Sequence, residues 1–595
     1  MQAKVNFILK YLNKKKKELQ PDEFKLIYLS IVIGVIGGLG AIILRNLIDL
    51  IRKVFFEIPY HASNQSQLVT VLAPGLGGLF VGILIYYLAD EARGHGVPEI
   101  IYAVNMKNGI MRSRVPFVKM ITAALTIGSG GSAGREGPIA QIGGGMGSFI
   151  AQKMQLRPED TKVLVLSGVA AGVAASFNAP LGGVLFALEV IPRDKKTHSM
   201  LPLIMSSVVG TTIGKLFLEE NPAFVFPKEN LITTQQIPIN LHLFILLGII
   251  TGICAVIWVK GFYFIEGLIE KLPISKIILP AIGGICVGII EIFYDEVNGT
   301  TYEPINNAFA VKLTLQASII ILIVKFIATS LSLGSGGSGG IFAPTLFEGV
   351  MIGSAFGLIL YKFGYSGISI AIFAVLGMGG LFASSTRAPM TAIIMTSEMI
   401  GDFKLFIPLM FVVVTSWIVT RFFIDEDMYD IKLKRKGIVF RESEDFLENI
   451  VVADIMITKP ITVHPKDRLE TVISEMKTSG HTGFPVVENG HLFGIITEHD
   501  VNRALEEQNI KDWSVENACS KKIITTFGEC PLSFAILKMT KLNVNRLPVV
   551  EHEDSTKIIG WITRSDVMKI YLQEKTYHHV SLQEDKLFEE LDLDK

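Results

Sequence analysis

The segment GSGGSAGREGP at 128–138 returns as GSGGSGGIFAP at 334–344, 206 positions further on (334 less 128) and without a gap. The likeness continues downstream: SGVAAGVAASFNAPLGGVLFALEV (167–190) aligns with LGMGGLFASSTRAPMTAIIMTSEM (376–399) at an offset of 209 (376 less 167). The second pair shares an Ala-Pro, Ala179-Pro180 and Ala388-Pro389, and a glutamate, Glu189 and Glu398. Each half breaks an apolar stretch with a glycine-rich loop that ends in proline. Two such halves predict paired broken helices that face each other near the middle of a bilayer and build one site between them.

Composition supports a membrane reading. The chain has 595 residues, too many for one domain, with half of them hydrophobic, 19% charged and 55 glycines, and its mean hydropathy is +0.46. Apolar spans suited to crossing a bilayer fall near 26–52, 68–89, 114–131, 160–177, 199–218, 240–265, 276–294, 313–333, 347–362, 369–385 and 404–424. Shorter stretches at 137–152, 179–191 and 388–400 read as half-helices that do not cross fully. The net charge of −1 leaves no footprint for nucleic acid. Lys14–Lys17 precede the first span, and Lys432, Lys434, Arg435 and Lys436 follow the last. An excess of cations marks the cytoplasmic side, so both termini are expected there and the number of crossings is even. No cleavable signal peptide is expected, because seven lysines interrupt the first 25 residues. Cys254, Cys286, Cys519 and Cys530 are widely spaced, which suggests reduced thiols rather than a metal or disulfide framework.

Composition turns polar and mixed in charge near Lys436. A second duplication lies beyond it: GIITEHD (494–500) matches GWITRSD (560–566), and FPVV (484–487) matches LPVV (547–550). Each copy reads strand, helix, strand, strand, helix, with Asn489-Gly490 as a tight turn between two strands. The expected layout is an N-terminal segment 1–22, a membrane domain 23–437 with halves 23–220 and 237–437, and a linker 438–449. Two α/β units at 450–512 and 513–574 and an acidic, fraying tail at 575–595 complete it.

The motifs GHGVP (94–98), GREGP (134–138) and GIFAP (340–344), together with Asn178-Ala179-Pro180 and MYDIKLKRKG (428–437), resemble the pore motifs of the CLC chloride channels and transporters. The resemblance spans about 20–440, and the later duplication resembles a tandem pair of CBS domains over about 450–574. It implies a membrane all-α fold of two inverted-topology repeats of tilted and broken helices, followed by a cytoplasmic α/β CBS pair. It also implies a homodimer with one anion pathway per subunit; the expected location is a prokaryotic plasma membrane, and no enzymatic activity is expected, since the sequence offers neither a metal-ligand cluster nor an adjacent nucleophile-base pair.

The physics of the loops agrees. A glycine-rich turn that opens a helix leaves several backbone N–H groups unpaired at its N-terminus, where the macrodipole adds partial positive charge. Such a terminus holds an anion without a full cation, and so releases it again. The expected donors are the amides of Arg135, Glu136 and Gly137 on one side and of Ile341 and Phe342 on the other. Neither loop carries the Lys-Ser/Thr of a phosphate-binding P-loop. By resemblance, Glu136 is the gating glutamate: ionised, it occupies an anion site; protonated or swung away, it admits the anion. A glutamate that stabilises a helix N-terminus makes the same contact. Arg135 is expected to be a structural partner whose charge points away from the pathway. Tyr429 matches the family's inner-gate tyrosine, whose hydroxyl donates to the central anion; an interfacial tyrosine is the competing reading.

Two positions depart from the family pattern. His95 stands in GHGVP where the best-known chloride-binding motif has serine, so its ring either donates to the anion or turns away and leaves its backbone at the pathway. Val190 follows Glu189 where many proton-coupled members carry a second glutamate that takes protons from the cytoplasm. A valine relays no proton, which favours a passive anion channel over a proton-coupled antiporter; Glu189 is then read as supporting helix packing, with Glu398 as its counterpart. In the CBS pair, Thr497, Asp500, Thr563 and Asp566 either bind phosphate and ribose of an adenine nucleotide (ATP, ADP or AMP) or cap the helices that follow. Ile457 and Thr458 are expected to offer a backbone edge to the base. No cofactor is required. A CBS-containing divalent-cation transporter is disfavoured because Asp49, Glu136, Glu189, Glu291 and Glu398 are scattered rather than clustered.

Overall fold

A computed structural model describes residues 21–57, 66–193, 200–217, 224, 226–227, 239–299, 302–365, 367, 369–438, 450–506, 513–552 and 554–570. The lysine run 14–17, nearly all of the 438–449 linker and the acidic tail 575–595 lie outside the described residues. The chain forms two compact units, Met1–Lys436 and Gly437–Lys595.

The first unit is helical. Its first half contains α1 (Pro21–Arg52), α2 (Ser66–Leu88), α3 (Val97–Met106), α4 (Val115–Gly128), α5 (Glu136–Lys153), α6 (Pro158–Phe177), α7 (Pro180–Glu189) and α8 (Met200–Phe217). The second contains α9 (Leu241–Glu270), α10 (Leu279–Phe293), α11 (Glu303–Phe309), α12 (Leu315–Gly334), α13 (Phe342–Lys362), α14 (Ile370–Thr386), α15 (Pro389–Ile400), α16 (Phe406–Phe423) and α17 (Met428–Arg435). Among the described residues, eight helices are long and apolar enough to cross a membrane. Exposed Ile, Leu and Phe side chains on α1, α2, α9 and α10 supply an apolar exterior. The helices α3, α11 and α17 were not foreseen as elements, since each is too short to register as a span.

The duplication has a geometric meaning. Gly134 and Gly340 are equivalent positions, and they pair antiparallel with each other: the Gly134 amide donates to the Gly340 carbonyl at 2.7 Å and the reverse bond is 2.6 Å. Antiparallel pairing of equivalent residues places a local two-fold axis between them. Other equivalent contacts obey the same axis. The Glu189 carboxylate accepts from the Met390 and Thr391 amides at the start of α15, and Glu398 accepts from the Leu181 and Gly182 amides at the start of α7. Each half-helix therefore carries the carboxylate that caps its counterpart, satisfying amides that proline at the helix start leaves open. Asn178 and Arg387, one position before each Ala-Pro, both adopt left-handed backbone that ends α6 and α14 and frees the chain to start again.

Glycine allows the closest crossing. A Cβ on Gly143 of α5 would lie 2.1 Å from the Gly168 carbonyl of α6, and one on Gly349 of α13 would lie 2.6 Å from the Gly377 carbonyl of α14. The two helices of each half pack backbone to backbone as a result.

The second unit contains two similar cores. In the first, β1 (Gly483–Glu488) and β2 (His491–Thr497) form an antiparallel hairpin, with α18 (Leu469–Ser479) before it and α19 (Glu498–Glu506) after it. Asn489 and Gly490 both have positive φ, as the hairpin turn requires. In the second, β3 (Thr526–Phe527) runs parallel to β4 (Arg546–Val550), which pairs antiparallel with β5 (Ile558–Thr563), and α20 (Leu532–Lys541) connects β3 to β4. The leading strand expected in the first copy is reduced to one bridge, Val463 to Val486. The inner faces bury Val472, Phe484, Val486 and Ile496 in one core, and Leu532, Leu547, Val549 and Ile562 in the other.

Candidate functional site

Three glycine-rich loops meet where α3, α5 and α13 begin. The Gly94 amide donates to the Gly337 carbonyl at 2.9 Å, and the Gly339 amide returns a bond to the Gly94 carbonyl at 3.2 Å. Gly137 lies against both the His95 carbonyl and Gly340, so closely that a Cβ would stand 2.3 Å from the former and 3.0 Å from the latter. The starts of the two equivalent helices thus face one region, and their first amides precede the point where each helix begins to bond internally: Ile139 donates to Arg135, and Thr345 to Ile341. Ile341 and Phe342 are buried, with the Phe342 ring packed against Phe177, Phe186 and Phe382.

Two further donors point into this region. His95 is buried with neither ring nitrogen hydrogen-bonded, and its ring centroid lies 5.7 Å from that of Tyr429. The Tyr429 hydroxyl is likewise buried without a partner. Buried polar groups are rarely left unpaired without a reason. Here an imidazole, a phenol and two sets of helix-start amides converge, a donor set suited to a small anion. Tyr429 is held from below: the Asp427 carboxylate accepts from the Tyr429 and Asp430 amides at 2.7 Å, and pairs with Arg193 at 2.9 Å. Arg193 also donates to the carbonyl of buried Val190 at 2.7 Å.

Glu136 is buried at the start of α5. Its Oε1 accepts from the Tyr302 hydroxyl at 3.1 Å, and its Oε2 lies near the Ala343 amide of α13 without a fully formed bond. Arg135 Nε stands 3.7 Å from Oε1, with the guanidinium 5.7 Å from the centre of the Tyr302 ring. Arg135, expected as a structural partner with its charge directed away from the pathway, lies beside the Glu136 carboxylate and the Tyr302 ring.

Sequence reading missed Tyr302 and two lysines. Lys119 Nζ donates to the carbonyls of Ala92 and Gly94, and Lys325 Nζ to those of Val297 and Gly299. The two are 206 positions apart, and the turns they clamp read DEARG (90–94) and DEVNG (295–299). That recurrence was the available signal. It also makes the Tyr302 segment the counterpart of the GHGVP turn.

In the second unit, both GxxTxxD motifs are capping boxes. Asp500 Oδ2 accepts from the Thr497 amide and hydroxyl, and the Asp500 amide returns a bond to that hydroxyl; Thr563 and Asp566 repeat the pattern. Asp500 Oδ1 is also taken, by Arg503 and Ser520, whereas Asp566 Oδ1 has no partner among the described residues. A cleft of about 700 Å³ opens beside Asp566, lined by Ile457, Lys459, His481, Arg546, Trp561 and Arg564, among others. A second, of about 540 Å³, lies beside Asp500. The expected backbone edge of Ile457 is corrected. Its amide and carbonyl are both bonded to Trp561, so its side chain alone reaches the cleft, and Thr458 is not part of the lining.

A duplicated helical membrane unit with unpaired donors around broken helices defines an anion-translocating protein. Residues 77–421 match the model of the voltage gated chloride channel family, and 452–507 and 515–573 match the CBS domain. The chain belongs to this family, the CLC proteins, and carries a CBS pair behind its membrane domain. It is 31% identical over 424 residues to the H(+)/Cl(-) exchange transporter ClcA of Yersinia pseudotuberculosis, an alignment covering 69% of this chain and 87% of that one. The ClcA of Yersinia pestis matches equally well. Among solved structures, a slow cyanobacterial Cl-/H+ antiporter superposes with a TM-score of 0.63 at 26% identity, covering 70% of this chain and 98% of the other. A eukaryotic CLC transporter, at 20% identity, shares the fold with a TM-score of 0.62 over 91% of this chain and 98% of its own.

Proposed function

We propose that this protein exchanges chloride or a similar anion for protons across a membrane, with Glu136 serving both ions. The observation that carries the reading is the Glu136 carboxylate, fixed by Tyr302 at the start of one broken helix and facing the first amides of the other. An ionised carboxylate there competes with an anion for the same donors. Taking up a proton cancels that charge and frees the donors, so anion entry and proton uptake become linked. The names of the ClcA relatives support exchange over the passive channel that Val190 alone favours. Passive conduction stands as the second reading, resting on the buried, apolar Val190.

We further infer a homodimer with cytoplasmic termini, in the plasma membrane of a prokaryote. In the same reading, the Asp566 cleft takes an adenine nucleotide, with Trp561 against the base and Lys459, Arg546 and Arg564 toward phosphate. The CBS pair then modulates transport.

Liposome flux with simultaneous chloride and pH electrodes tests the main reading. Wild-type protein moves protons against an imposed chloride gradient, and Glu136→Ala keeps chloride flux while losing proton movement. Chloride flux with no accompanying protons in the wild type would establish the channel instead.

A further inference from the structure

Glu348 lies on α13, roughly two turns beyond the Ile341 and Phe342 amides, and is fully buried with neither carboxylate oxygen hydrogen-bonded. A carboxylate buried within a membrane is costly, and natural chains retain one mainly where it handles ions or protons. Glu136, Glu189, Glu266 and Glu398 all accept well-formed hydrogen bonds; Glu348 has only the Trp258 indole beside it, short of a formed bond.

Its neighbours on α12 and α9 are residues that in turn touch the two ends of the site, and Phe347, next to it in the chain, lines a small cavity beside Lys325 and Tyr302. On one side, α12 brings Lys325 within Coulombic reach of Glu348, and the same amine is clamped to the Val297 and Gly299 carbonyls at 3.0 and 3.1 Å. A cavity of about 10 Å³ is bounded by Lys325, Tyr302, Ala343 and Phe347, at the lower limit for a single water. Tyr302 is the residue that holds Glu136. On the other side, α9 places Trp258 next to Glu348, with an indole N–H that also lacks a formed bond. Trp258 stacks on Phe262 at 5.6 Å, and Phe262 meets the His95 ring at 6.5 Å.

We propose that Glu348 is a second proton-holding residue of this transporter, exchanging protons with Glu136 by way of the cavity between Tyr302 and Lys325. The proposal rests on the proton-coupled reading above. The step is balanced: the Glu136 carboxyl gives up its proton, one water passes it along past the Lys325 amine, and the Glu348 carboxylate receives it. Glu136 is left ionised and Glu348 neutral. The ionisable groups facing Glu348 are Lys325 from α12 and Cys254 from α9. The α14 segment packed alongside contains none, Glu303 of α11 is exposed, and Glu291 is, like Glu348, a neighbour of Lys325. Glu348 thereby supplies the protonatable side chain that Val190 lacks, from a different helix.

The test uses the full-length protein in liposomes, with chloride and proton flux measured together for wild type, Glu348→Gln and Glu348→Leu. Both variants should keep chloride flux within about twofold, while coupled proton flux falls on the order of a hundredfold, as when a positioned proton carrier is removed. Unchanged proton coupling in Glu348→Gln overturns the proposal and identifies the carboxylate as a counter-charge to Lys325. Loss of both fluxes in both variants overturns it as well, since Glu348 then serves the fold. A wild type that moves chloride but no protons refutes the antiport reading itself, an outcome distinct from either.

Discussion

At the scale of single residues, the Glu136–Tyr302 hydrogen bond decides how firmly the carboxylate is held. A phenol donating to a buried carboxylate contributes about 1.5–3 kcal/mol. In Tyr302→Phe the ring and its packing against Phe224 remain while the bond is lost. Chloride flux at neutral pH is expected to rise several-fold, because the carboxylate leaves its place more readily; unchanged flux would mean that Arg135 and the helix amides alone set its position. Glu136, His95 and Tyr429 could be singled out in the sequence as candidates because each sits inside a compact motif. Tyr302 was not, because it lies 166 positions from its partner in a segment with little local signature.

At the scale of elements, the broken helices depend on glycine at their crossings. Gly143→Ala would drive a methyl into the Gly168 carbonyl at 2.1 Å, backbone against backbone, where neither side can yield without separating α5 from α6. Overpacking of this kind costs about 1–3 kcal/mol or more. The thermal unfolding midpoint in detergent should fall measurably. Gly40→Ala serves as the control, since its added methyl meets only Ile142 Cγ2 at 3.5 Å. Most of the helical spans were legible from hydropathy, but those expected at 114–131, 276–294 and 369–385 are the shorter apolar helices α4, α10 and α14; the half-helices α7 and α15 were legible from their Ala-Pro starts. What hydropathy could not give was the exchange of caps between Glu189 and Glu398, a contact between halves that only the pseudo-two-fold creates.

At the scale of the whole molecule, each unit has its own asymmetry. In the CBS unit the duplicated Thr-Asp motif is symmetric in sequence but not in structure: Asp500 is consumed by Arg503 and Ser520, while Asp566 keeps one oxygen open beside Trp561. Calorimetry on full-length protein in detergent should therefore find ATP or AMP affinity reduced roughly tenfold in Asp566→Asn, the loss of one charge-assisted hydrogen bond. Asp500→Asn should leave affinity within about twofold and lower stability instead. Equal losses in both would mean that the two clefts bind alike.

The amino-acid order by itself determined the duplicated halves, the places where helices break and the identity of the loops that open them, since these are local matters of hydropathy, proline and glycine. Tertiary structure alone decided which buried polar groups are left without partners. His95, Tyr429 and Glu348 differ from their satisfied neighbours only through contacts with residues far away in the chain. An unpaired group is a property of the space around a side chain, and no local pattern of residues records that space.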